Sequence, residues 1–76
     1  MISTDAEDAY AIEELQRAIR VKQEIMEAYA NERGLKDPST GLVWPRLRIL
    51  TADTIRLRAD IIRIETRRRY AKGMEP

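Results

Sequence analysis

Gly34-Leu35-Lys36-Asp37-Pro38-Ser39-Thr40-Gly41-Leu42-Val43-Trp44-Pro45 decides the fold. It holds two of the three glycines and two of the three prolines in the chain, so no helix runs through it. Asp37 and Pro38 suit the first and second positions of a type I turn. The apolar flanks, Leu35 on one side and Leu42-Val43 on the other, can pair as a minimal β-ribbon. Trp44 closes the segment, either capping the end of a helical core or standing out as an interface anchor.

Upstream, the apolar residues recur at helical spacing. Ala11/Ile12, Leu15, Ala18/Ile19, Ile25/Met26 and Tyr29 share one face. Thr4-Asp5-Ala6-Glu7 reads as a capping box, and Asp5, Glu7 and Asp8 complement the positive end of the helix dipole. Gly34 can take the left-handed conformation just past the helix, with Leu35 placed to pack back on the last turn. Helix 1 is therefore expected over about residues 5–33, a length of about 43 Å. Lys22 breaks the apolar stripe and reads as a snorkelled stem at its edge or as a specificity device.

Downstream, Pro45 suits the first position of a second helix. Leu47, Leu50, Thr54, Leu57, Ile61 and Ile64 follow a 3-4-3-4-3 spacing, the seam of a heptad pattern. One helix over about residues 45–70 accounts for it; a later start with Thr51 as N-cap is the competing reading. With residues 35–44 as the loop, residues 1–76 form one domain. The expected fold is all-α, an antiparallel two-helix hairpin. Its core is assigned to Ile12, Leu15, Ile19, Met26 and Tyr29 against Leu50, Leu57, Ile61 and Ile64.

A second apolar direction complicates that picture. At about 100° per residue, Ile55, Ala59 and Ile62, with Ala52 and Thr66 beside them, centre roughly 140° from the seam. Helix 1 widens in the same way through Val21, Ala28 and Tyr10. One hairpin partner cannot cover both directions, so Ile55, Ala59, Ile62, Val21 and Tyr10 are expected at a homo-oligomer interface, in a four-helix dimer or a larger ring. A chain of 76 residues also buries only about 60 % of its unfolded surface. With no cysteine and no histidine, disulfides are excluded and a zinc site is disfavoured, which leaves association as the source of further burial.

The net charge of +1 conceals a division. Residues 1–38 hold nine acids and five bases, a net −4; residues 39–76 hold four acids and nine bases, a net +5. Such a division serves pairing between helices or a surface for a polyanion. Arg56, Arg63, Arg67, Arg68, Arg69 and Lys72 are the candidates for nucleic-acid contact, as phosphate binders without base readout. The same arginines also suit the helix dipole and the acids at the start of helix 1. Glu13 with Arg17, and Glu65 with Arg69, have the favourable i, i+4 orientation.

No enzymatic constellation is present. There is no P-loop, no dinucleotide fingerprint and no nucleophile elbow, and the adjacent Glu13 and Glu14 point about 100° apart rather than forming an acid/base dyad. Neither a catalytic residue, a cofactor, a metal nor a small-molecule substrate is implied. Met1-Ile2-Ser3-Thr4-Asp5 lacks a basic and apolar leader, and no run of about 18 apolar residues exists, so a cytoplasmic protein with no membrane partner is expected.

Gly34-Leu35-Lys36-Asp37-Pro38-Ser39-Thr40-Gly41-Leu42-Val43 followed by Pro45-Arg46-Leu47-Arg48-Ile49 resembles the central part of a family of tailed-phage terminase small subunits. There a helix ends at glycine, a segment often reading Asp-Pro-x-x-Gly follows, and proline opens the next helix. Gly73-Met74-Glu75-Pro76 is similar to the Gly-Leu-Ser-Pro ending of such helices, about two turns late. The resemblance covers roughly residues 15–64. It implies a non-enzymatic phage DNA-packaging component that forms rings, recognises viral DNA and delivers it to a large ATP-driven motor subunit, in the cytoplasm of the host cell. The chain departs from the family in lacking an extra N-terminal DNA-recognition segment, so oligomerisation is the property carried over most directly.

Overall fold

A computed structural model of the chain describes residues 5–74, with side chains described through residue 71. It is an all-α hairpin of two helices, α1 (Asp5–Arg33) and α2 (Pro45–Met74). Four contacts fix their sense: Asp8 with Arg67, Lys22 with Asp53, Met26 with Thr51, and Tyr29 with Trp44. As the number rises along α1 it falls along α2, so the pair is antiparallel.

The bounds of α1 agree with the sequence; the Thr4 cap lies outside the described residues. Its end is an αL cap, with Gly34 at φ +81° and its N–H donating to the Ala30 carbonyl at 2.7 Å. Leu35 sits beside Met26 and Ala30 but stays 66 % exposed, so the expected packing on the last turn is slight. Next comes the minimal ribbon, a single antiparallel bridge between Lys36 and Val43, held by Asp37 N–H to Leu42 O at 2.8 Å. The Asp37 carbonyl accepts from Thr40 N–H and Gly41 N–H, and Gly41 completes the reversal at φ +73°. Inside the turn, the Ser39 hydroxyl and then the Ser39 N–H donate to the Asp37 carboxylate at 2.7 and 2.9 Å, holding its pKa below the ordinary value.

Helix α2 starts at Pro45, and the Trp44 carbonyl accepts the first intrahelical bond from Arg48 N–H at 3.1 Å. Thr51 is no cap: its hydroxyl donates back to the Leu47 carbonyl within a continuous helix. The helix also runs past residue 70 to Met74 and so includes Gly73. A glycine there costs only about 1 kcal/mol, little enough for the helix to include it.

All nine residues assigned to the hairpin core are buried or half-buried, Ile19 and Ile61 most completely. Two further members of the α2 seam, Leu47 and Thr54, join this core and are the most buried of the described residues, at 5 % and 4 % exposure. Thr54 tolerates its position because its hydroxyl donates to the Leu50 carbonyl at 2.9 Å, so the buried polar atom is satisfied within its own helix. At the loop end Trp44 meets Tyr29 edge to face, ring centroids 6.2 Å apart, and so caps the core. Arg33 and Arg46 lie over the other ring, Tyr29, at 5.2 and 5.9 Å.

Even so, the core is thin. Among the described residues no side chain falls below 2 % exposure, and the molecule measures 60 × 18 × 17 Å. A single pair of helices has one contact seam, and every other face meets solvent.

Candidate interaction surface

The arginines at the C-terminal end of α2 divide into two groups. Arg67 and Arg68 close the open end of the hairpin on α1. Arg67 reaches the Asp8 carboxylate at 3.2 Å, while Arg68 lies 3.9 Å from Asp8 and 3.7 Å from Asp5. The Asp8 side chain is only 9 % exposed, so this charge is held in place by its partners. An antiparallel arrangement puts the acidic start of α1 beside the basic end of α2, which is the pairing that the charge division allowed. Arg68 is thereby largely withdrawn from solvent, whereas Arg67 keeps an exposed guanidinium.

Arg56, Arg63 and Arg69 are exposed. Arg63 makes a local pair with Asp60 at 3.6 Å. Neither Arg56 nor Arg69 has an ionic partner among the described residues, and the expected Glu65–Arg69 pair does not form. At the N-terminal half of α1 the Glu13–Arg17 pair does form, at 3.9 Å, together with a closer Glu14–Arg17 contact at 3.1 Å. The Lys72 side chain lies outside the described residues.

Lys22, which broke the α1 stripe, turns out to have a partner on the other helix. Its ammonium lies 3.5 Å from the Asp53 carboxylate, both about one-third exposed. The pair depends on the register of the two helices, which the spacing within either helix does not reveal.

The residues assigned to an oligomer interface are all exposed on the single hairpin: Ile55, Ala59, Ile62, Val21 and Tyr10. Ile61 and Ile62 show the division most sharply, at 9 % and 62 % exposure on adjacent positions. Ala52, Ile55, Ala59, Ile62 and Thr66 keep a 3-4-3-4 spacing, so the outer stripe of α2 is itself a heptad seam. At the loop end it continues into an apolar groove lined by Leu42, Val43, Arg48, Thr51, Ala52 and Ile55. Sequence reading missed this extension because Leu42 and Val43 were assigned to the ribbon, and one bridge leaves their side chains largely uncovered.

Among the described residues, no group of three or more Asp or Glu side chains is arranged to hold a metal ion, and no helix is long and apolar enough to cross a membrane. The chain matches no protein-family model, no curated protein and no solved structure.

Proposed function

We propose that this chain is a non-enzymatic assembly subunit: the hairpin associates with further copies of itself and presents exposed arginines to nucleic-acid phosphates. This is the kind of part that a terminase small subunit plays in phage DNA packaging, beside a larger motor subunit. The observation that carries the reading is the second heptad seam of α2, exposed along the hairpin and bordered by exposed arginines, of which Arg56 and Arg69 have no ionic partner among the described residues. A seam of that spacing stabilises a helix only when another helix covers it. The loop motif supplies the DNA-packaging part of the reading.

Native mass spectrometry with and without a DNA duplex tests both parts together. Multiples of the 8.8 kDa chain are expected, with duplex-bound species that vanish as ammonium acetate is raised. A chain that stays monomeric and ignores DNA at low salt overturns the proposal. The groove at Leu42, Val43 and Ile55 favours a second reading in that case, an adaptor that docks a different protein there.

A further inference from the structure

The two outer faces of the hairpin carry opposite charge. Helix α1 holds eight acids and four bases, a net −4; α2 holds three acids and nine bases, a net +6. The pairs between the helices are confined to Asp5, Asp8, Lys22, Asp53, Arg67 and Arg68. What remains is left over on the outside. On α1, Glu24 and Glu32 flank Val21 and Ala28 and have no ionic partner among the described residues. On α2, Arg56 and Arg63 run along one side of the Ile55–Ala59–Ile62 stripe and Arg58 along the other, all exposed.

We infer that the outer stripe of α2 is covered by the outer face of α1 from a second copy, so that the contact is head-to-tail rather than two-fold. This rests on the self-association proposed above and specifies its geometry. A two-fold contact between α2 stripes would set Arg56, Arg58 and Arg63 against the same residues of the other copy, with only Glu65 and the Asp60 already paired to Arg63 as acids beside them. Like charges facing one another across an interface oppose it. The α1 face offers the reverse: Tyr10, Val21, Ile25 and Ala28 as the apolar contribution, with Glu24 and Glu32 alongside, while Arg17 between Tyr10 and Val21 is paired to Glu13 and Glu14. Lengths also agree, since residues 52–66 of α2 span about 21 Å and residues 10–28 of α1 about 27 Å at helical rise.

The exposed area accommodates this. The chain exposes 6279 Å², whereas a compact monomer of its mass exposes about 4,800 Å². The excess, about 1,500 Å², comes with a rod of 60 × 18 × 17 Å that has one contact seam, and it leaves area enough for a contact of about 800 Å² on each helix. A two-fold contact uses one half-interface per copy; a head-to-tail contact uses two, one on each helix. Docking engages Arg56 and Arg63 with carboxylates and leaves Arg69, beyond the end of the stripe, for phosphate.

Complementation between two blocked variants is the test. Ile55→Asp with Ile62→Asp blocks the α2 stripe, and Val21→Arg with Glu24→Arg blocks the α1 face; circular dichroism checks that both keep wild-type helicity. Each variant alone is expected to sediment as a monomer at a concentration where the wild type associates. Mixed, they are expected to form a heterodimer of twice the 8.8 kDa chain mass and nothing larger, because one intact face of each kind remains. A charge-reversal pair, Arg56→Glu with Arg63→Glu mixed with Glu24→Arg with Glu32→Arg, tests the same contact on exposed positions should a blocked variant lose helicity. Each alone is expected to stay monomeric, and the mixture to associate in alternation, since both of its α1–α2 contacts then join opposite charges. Self-association of an α1-face variant on its own overturns the inference in favour of a two-fold α2 contact; a mixture that stays monomeric overturns it and excludes that alternative too. A wild type that never associates removes the underlying proposal as well, which separates the two failures.

Discussion

Ile61→Asp and Ile62→Asp make the same chemical change one residue apart, and the structure assigns them opposite consequences. Ile61 is 9 % exposed and sits in the seam against α1. Removing its side chain forfeits about 2–3 kcal/mol of burial, and the carboxylate that replaces it is desolvated with no cation provided for it, for a total of about 4–5 kcal/mol. A chain of this length has about 4–11 kcal/mol in all, and one with so thin a core belongs near the bottom of that range. The hairpin is therefore expected to lose most of its helix. Ile62 is 62 % exposed, so less than about 1 kcal/mol of burial within the hairpin is at stake. Helix content should survive, while association is lost. Far-UV circular dichroism and sedimentation velocity on the same samples read both quantities. Equal loss of helix in the two variants, or undiminished association of the Ile62 variant, refutes the division into an inner and an outer seam.

Three further outcomes follow from single features. Asp8→Asn should cost about 1–2 kcal/mol, reduced from the value of a fully buried pair because Arg67 is mostly exposed, and should speed amide exchange at the open end; unchanged exchange there contradicts the clamp. Gly34→Ala should cost about 1–2 kcal/mol in a thermal melt although nothing lies within 4 Å of the added methyl, because the penalty is for the positive φ alone. Ser39→Ala should move the Asp37 titration, followed by carboxyl NMR shifts, up towards the ordinary value. Since the folded pKa is depressed, the stabilising effect is present at neutral pH and is lost as pH falls below about 4 through the folded value. An unchanged Asp37 titration contradicts the turn geometry.

The helices were legible because their apolar residues recur at fixed spacing and because Gly34 and Pro45 act locally, each satisfying or omitting backbone bonds within a turn. The antiparallel sense followed from the short loop. Less legible were the features that depend on register. The Lys22–Asp53 pair and the depth of Thr54 arise only when the two seams are set against each other, and Thr54 looks polar until its hydroxyl is seen bonding its own helix. The expected end of α2, at about residue 70, falls short, whereas the helix continues to Met74 because Ala71 and Lys72 are good helix formers and a single glycine costs only about 1 kcal/mol. The arginines carried two meanings at once, and the hairpin took Arg67 and Arg68 for its own closure while leaving Arg56, Arg63 and Arg69 outside it.

Sedimentation velocity of the wild-type chain, from low micromolar to several hundred micromolar, addresses the central claim that this hairpin is completed by other copies. The exposed second seam predicts a sedimentation coefficient that rises with concentration, to species of more than one 8.8 kDa chain. A single folded monomer across the whole range contradicts it.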